Sequence, residues 1–191
     1  MTRLLEDIML ANHRFVEAKQ WQLFPPATAT PLRKVALFTC MDSRLTEFIV
    51  PALGLQRGDA KIIKNAGNTF LNNLNDSVIL SLAVAIYKLG VEEILVIGHY
   101  DCGVAETRTD ELLSKMQERG IPEEVRNSIE PELDTWLSGV SCTRDNVKNV
   151  CQKIRTSPIL PKDVPIHGLL IHPLTGMLQV VEDGYGYLKA S

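Results

Sequence analysis

The sequence predicts a single α/β domain with a mainly parallel central β-sheet, flanked by helices and closed by a C-terminal β-hairpin. Two short, nearly continuous apolar runs, "KVALFT" (34–39) and "EEILVIG" (92–98), have the composition of strands covered on both faces. Between them lies "SVILSLAVAIY" (77–87), apolar nearly all round a helix, and the order strand, strand, helix, strand calls for right-handed crossovers. A chain of 191 residues, 45% of them hydrophobic, suffices for one core of ordinary size.

Each element follows from local pattern. Leu4, Leu5, Ile8, Met9, Phe15 and Val16 recur at helical spacing, which predicts an amphipathic helix ending before the connector "FPPATATP" (24–31). Within the one domain spanning 1–191, residues 1–30 therefore read as a helical arm and linker, and 34–104 as the core that carries the chemistry. "AKIIKNAGN" (60–68) is a second strand followed by a glycine turn. Residues 76–89 form a helix with Asn75 or Asp76 as N-cap and Gly90 as its stop, and its apolar circumference predicts burial on several sides. After Gly103 come charged helices: one carrying Leu112, Leu113 and Met116, one opening at Pro122 with Glu123 and Glu124 behind it, and one with Val147, Val150 and Ile154 on a single face. "HGLLIHP" and "GMLQVVED" flank a turn at Thr175 and Gly176 and read as a closing hairpin.

Composition narrows the function classes. A net charge of -3 without a long basic run speaks against a nucleic-acid partner. The longest apolar stretch falls well short of the roughly 18 residues that cross a bilayer, and the N-terminus lacks the pattern of a secretory signal, so a cytoplasmic protein without a membrane partner is expected. The four cysteines are not spaced like a small secreted scaffold, which predicts reduced thiols. Cys142 and Cys151 have no histidine or carboxylate spaced to help them and read as ordinary free cysteines.

The other two cysteines stand elsewhere. "CMDSR" (40–44) follows the first core strand and "HYDCG" (99–103) the third, and ligands in open α/β sheets gather at the carboxyl ends of strands. If those strands are neighbours, Cys40, His99 and Cys102 converge as two thiolates and an imidazole, a donor set suited to zinc with a fourth tetrahedral position left over. That position is either filled permanently by Asp42, as in a closed structural site, or open. Asp42 and Arg44 can pair, the arginine keeping the carboxylate ionised and oriented towards a bound water.

Taken together, "CMDSR", "GDAKIIKNAGN" (58–68) and "VIGHYDCG" (96–103) resemble the β-class carbonic anhydrases in order and spacing across residues 34–104. The closing "HGLLIHPLTGMLQVVEDG" (167–184) resembles the last strands of the short prokaryotic members. The resemblance implies one Zn2+ per chain on Cys40, His99 and Cys102, an Asp42 and Arg44 dyad, and reversible hydration of carbon dioxide to bicarbonate by metal-bound hydroxide. It also implies a homodimer or higher homo-oligomer, with the N-terminal helix reaching to the partner subunit. Gly67 and Gly103 are expected on the substrate side, where they let backbone approach the site. Asp42 can become a fourth ligand when its pair with Arg44 breaks. Proton removal has His13, His167 and His172 as candidates, and Tyr100 and Asp101 shape the turn. Two departures stand out: Lys64 replaces the family's frequent arginine before "NAG", losing the planar fork, and Leu37 stands where bicarbonate-regulated members carry tryptophan. The rival readings are a same-fold hydrolase of carbonyl sulfide or carbon disulfide and a non-catalytic zinc-stabilised interaction module. A cysteine phosphatase is excluded, because Cys40 and Arg44 are too close for a phosphate-cradling loop.

Overall fold

The computed structural model describes residues 3–140 and 143–188. α1 (Leu4–Glu17) forms as the periodicity predicts, with Glu6 and Asp7 in its first turn and Arg14 in its last, each complementing the helix dipole. It buries no residue, and Leu4, Leu5, Ile8, Met9 and Leu10 all remain exposed. The chain then enters a five-stranded sheet of order β2-β1-β3-β4-β5. β1 (Val35–Cys40) is an interior strand, with β2 (Ala60–Asn65) and β3 (Glu93–His99) parallel on its two sides. β4 (Ile166–Ile171) runs parallel to β3, and β5 (Leu178–Glu182) turns back antiparallel to close the hairpin.

Alternation along β1 explains why that strand is apolar throughout. Ala36 and Phe38 pack, with Ile94 and Val96 of β3, beneath helices on one face. Val35 and Leu37 pack with Ile97, Ile171, Leu45 and Ile49 on the other. A strand covered on both faces has no solvent side on which a polar residue would be favoured. The first face is covered by α3 (Ser77–Ala83) and α6 (Thr143–Thr156), through Val78, Ile79 and Leu82 and through Val147, Val150, Cys151 and Ile154. The second takes a short helix that the sequence reading did not anticipate, α2 (Ile49–Ala52). α4 (Thr109–Glu118) and α5 (Glu123–Ser138) follow β3, with Pro122 as the N-cap of α5 rather than inside its first turn. A last short helix, α7 (Gly184–Leu188), was also not anticipated.

The expected helix 76–89 needs one correction. Asp76 caps it, its carboxylate accepting from the Val78 N–H at 2.9 Å, and Gly90 stops it at φ 69°. The last turn, Val84–Lys88, widens to a π-helical turn. Burial on several sides, however, is not found: Leu80, Val84 and Tyr87 are 50%, 55% and 67% exposed. One helix layer on a sheet buries only the face turned to the sheet, so the outer apolar stripe stays open in a single chain.

Cys142 lies outside the described residues. Cys151 is a free, fully buried cysteine whose thiol burial pushes up to about 12, with the Glu182 carboxylate adding to the effect. The folded chain keeps a proton that the unfolded chain releases near 9.0, so this contribution is intact below that pH and is lost as pH rises towards 12. Cys151→Ala is expected to remove roughly 2 kcal/mol of the stability lost by about pH 10.5. Urea midpoints of both proteins, compared at neutral and alkaline pH, check this; an unchanged alkaline slope would refute it.

Candidate metal centre

Because β1 and β3 are parallel neighbours, their carboxyl ends share one rim, and Cys40 and His99 are the last residues of the two strands. Past Cys40 the chain folds into a tight turn at Ser43–Leu45, where the Asp42 carboxylate accepts from the Arg44 backbone N–H. Past His99, Asp101 adopts φ 54°, and this left-handed residue brings Cys102 back towards the rim. The three predicted ligands are thereby brought together. Their donor atoms all lie within 4.8 Å of one another, and all three residues are buried.

The arrangement fits a tetrahedral ion. Two thiolates bound at about 2.3 Å to one tetrahedral centre sit about 3.8 Å apart, and the two sulfurs here are 4.0 Å apart. His99 is 1% exposed, and its Nε2 is buried without a hydrogen-bond partner among the described residues. Its other nitrogen, Nδ1, is 2.8 Å from the Tyr100 carbonyl oxygen. With Nδ1–H donating there, Nε2 carries the lone pair and faces the sulfurs. A buried imidazole nitrogen with no acceptor or donor opposite it is costly unless something binds it. Cys40, His99 and Cys102 are therefore able to hold a metal ion.

The sulfurs are electrostatically unequal. The hydrogen bond shared with Cys102 pulls Cys40 well below an ordinary thiol, overcoming burial, with further help from His99 and the backbone N–H groups of Asp42 and Gly67. Donating that bond, together with burial, pushes Cys102 up. Burial pulls His99 down, but the Cys40 thiolate beside it and the Tyr100 carbonyl outweigh it and leave the imidazole raised.

Beside the rim, Arg44 grips Asp42 with its fork. Nε donates to one carboxylate oxygen at 3.0 Å and Nη2 to the other at 2.8 Å. The pair holds Asp42 at about 2, so it is ionised near neutral pH. The same Nη2 donates to the Asp101 carbonyl at 2.8 Å, tying the two ligand loops together. Asp42 Oδ2 is 3.9 Å from His99 Nε2, so the carboxylate borders the ligand triangle. Cys40, Met41, Asp42, Ser43, Arg44, Cys102, Gly103, Val104 and Thr107 line an open depression of about 440 Å³ over the site.

The two glycines differ. Gly67 sits at φ 70°, where a Cβ would lie 2.9 Å from Val140 Cγ1, so both conformation and space require glycine. Gly103 lines the depression, and a Cβ there would meet nothing within 4 Å among the described residues. None of His13, His167 and His172 lines the depression. His13 is exposed on α1, His167 pairs with Leu95 well back along β3, and His172 Nδ1 accepts from the Leu174 and Thr175 N–H groups. Lys64 Nζ is buried without a hydrogen-bond partner among the described residues. The sequence reading passed over Asn146, which reaches the Gly67 turn from α6. Its signal was there: a polar residue inside the stripe of Val147, Val150 and Ile154.

Comparison with known proteins agrees with this geometry. The family model described as "Carbonic anhydrase" matches residues 35–182, from the start of β1 to the end of β5. The β-carbonic anhydrase isoform I structure from Trichomonas vaginalis superposes with a TM-score of 0.91 at 39% identity, covering 96% of this chain and all of its own. Beta-carbonic anhydrase 1 of Mycobacterium tuberculosis is 31% identical over 157 residues, 82% of this chain and 86% of its own. The carbon disulfide hydrolase of Acidithiobacillus thiooxidans is 28% identical over 174 residues, covering 84% of this chain and 83% of its own. The match spans the whole sheet, including the strand ends that carry Cys40 and His99, and on that ground the chain belongs to the β-carbonic anhydrases, a family of metalloenzymes.

Proposed function

We propose that this enzyme binds one zinc ion at Cys40, His99 and Cys102 and catalyses the reversible hydration of carbon dioxide to bicarbonate and a proton. The observation that carries this reading is that Arg44 holds both Asp42 oxygens beside a three-donor site that opens on a solvent-facing depression. Three protein donors leave a fourth direction free, which is the arrangement of a catalytic rather than a structural site. Zinc there supplies Lewis acidity that makes a water molecule nucleophilic near neutral pH. Asp42, ionised and acceptor-only, takes a hydrogen bond from that water and turns its lone pair towards the carbon of the substrate. Arg44 keeps Asp42 on this task and off the metal. Met41 and Val104 offer an apolar wall to carbon dioxide, and the product proton leaves through the open mouth to buffer.

Carbon disulfide is the second reading, favoured by the relative that carries that name. Stopped-flow hydration of carbon dioxide by the zinc-quantified protein, run alongside carbon disulfide consumption, separates the two. Carbon dioxide turnover that rises with pH is the expected result. Carbon disulfide turnover alone would move the assignment to the sulfur substrate, and zinc without either activity would support an interaction module.

We further propose a homodimer as the minimal unit. The unburied apolar stripe of α1 and the outer face of α3, with Leu80, Val84 and Tyr87, support it.

A further inference from the structure

We propose that Val104 limits the size of the substrate: its branched side chain is the fixed apolar wall of the depression over the metal-ligating residues, and so sets a preference for carbon dioxide over its longer sulfur analogues. The inference rests on the reading of Cys40, His99 and Cys102 as the ligands of a catalytic zinc.

Carbon dioxide, carbonyl sulfide and carbon disulfide are all linear and all electrophilic at the central carbon. They differ in length and girth, because sulfur is larger than oxygen. A donor set of two thiolates and an imidazole does not tell them apart, so discrimination falls to the walls around it. Apart from the two cysteines, Met41 and Val104 are the only apolar side chains among the described residues that line the depression. Met41 is unbranched and 61% exposed, so it is free to swing aside. Val104 is half-buried and packs against the cluster that contains Cys40, Cys102, Leu45 and Ile97. Branching at Cβ leaves it few rotamers with which to yield to a molecule that is too long.

Val104 is also backed from behind. Gly67 lies at φ 70°, and a Cβ there would stand 3.1 Å from Val104 Cγ1 and 2.9 Å and 3.1 Å from the two Val140 methyls. The missing side chain of Gly67 is thus the space in which Val104 and the buried Val140 meet. The backbone is held as well. The Ala105 N–H donates to the Cys102 carbonyl at 3.0 Å, and the Thr107 N–H donates to the Val104 carbonyl at 3.1 Å. Thr107 Oγ1 donates to the Gly103 carbonyl at 2.9 Å. Val104 therefore keeps a fixed place in the turn that follows Cys102, and a wall that does not move can reject by size.

The test compares the zinc-quantified wild-type chain with Val104→Ala, which opens the wall, and Val104→Ile, which adds one carbon to the same branched shape. Val140→Ala is the comparator, a cavity beside Gly67 at a residue that does not line the depression. The readout is the ratio of kcat/KM for carbon disulfide to kcat/KM for carbon dioxide, in which any loss of folded protein cancels. Val104→Ala is expected to raise this ratio about tenfold or more, the scale of one methylene in an apolar pocket. Val104→Ile is expected to lower it, and Val140→Ala to lower thermal stability with the ratio unchanged. A second readout needs no turnover. Cyanate and thiocyanate are linear anions that differ by the same exchange of oxygen for sulfur, and their affinities for the Co(II)-loaded protein are read from its visible spectrum. Val104→Ala is expected to shift the preference towards thiocyanate by about the same factor. Failure of either ratio to rise in Val104→Ala, or an equal rise in Val140→Ala, overturns the proposal. So does a wild-type chain that consumes carbon disulfide as readily as carbon dioxide. A zinc-loaded wild-type chain that turns over neither substrate overturns the catalytic reading itself, and the two failures are thereby told apart.

Discussion

Cys102→Ser is expected to purify without zinc and without carbon dioxide turnover, where the wild-type chain carries about one zinc per chain. The site has three protein donors within 4.8 Å of one another, so losing one removes a third of the protein's hold on the ion. Serine does not restore it: its hydroxyl stays protonated near neutral pH and is a poor ligand for a borderline-soft metal. Metal analysis of the purified variant with stopped-flow rates checks the expectation. Full zinc and full activity in Cys102→Ser would remove the ligand from the mechanism.

The second large effect should leave zinc untouched. Asp42→Asn keeps size and shape, but it exchanges an ionised acceptor for an amide that turns a donor to one of its two partners. Arg44→Ala leaves the carboxylate but frees it from the fork that engages both oxygens and from the tie to the Asp101 carbonyl. Both variants are expected to retain zinc and lose about 100-fold or more in turnover, the usual scale for a positioned proton acceptor. Arg44→Lys should fall between Arg44→Ala and the wild-type chain, because an ammonium keeps the charge but cannot reproduce the planar fork and serve the second loop as well. Zinc content and rate measured on the same preparations decide the matter. Unimpaired turnover in Asp42→Asn would leave the pair as a salt bridge of the rim.

Much of this was legible in the sequence, and the reasons are local. An apolar run with no polar alternation specifies a strand covered twice, which is what β1 became. Asp76 and Gly90 mark the two ends of a helix through a side-chain cap and a left-handed stop. Two motifs at strand ends named the three residues that could hold a metal ion, provided the strands were neighbours. What was not legible depended on surroundings. The apolar circumference of residues 77–87 said that the helix avoids water, and it could not say which side this chain leaves open. α2 is four residues long, too short for a periodicity to register.

The sequence by itself determined the donor types, their places at the ends of strands, the order of strands and helices, and the acid and base two residues apart in "CMDSR". These are matters of side-chain chemistry and of backbone preferences that act over a few residues. The tertiary structure alone decided that β2 and β3 flank β1 on opposite sides, so that Cys40 and Cys102, 62 residues apart, meet with their sulfurs 4.0 Å apart. It also decided that Asn146 reaches Gly67 across 79 residues. Such contacts form only when both faces of the sheet are buried at once, because no local preference along the chain encodes which distant backbone will be in reach.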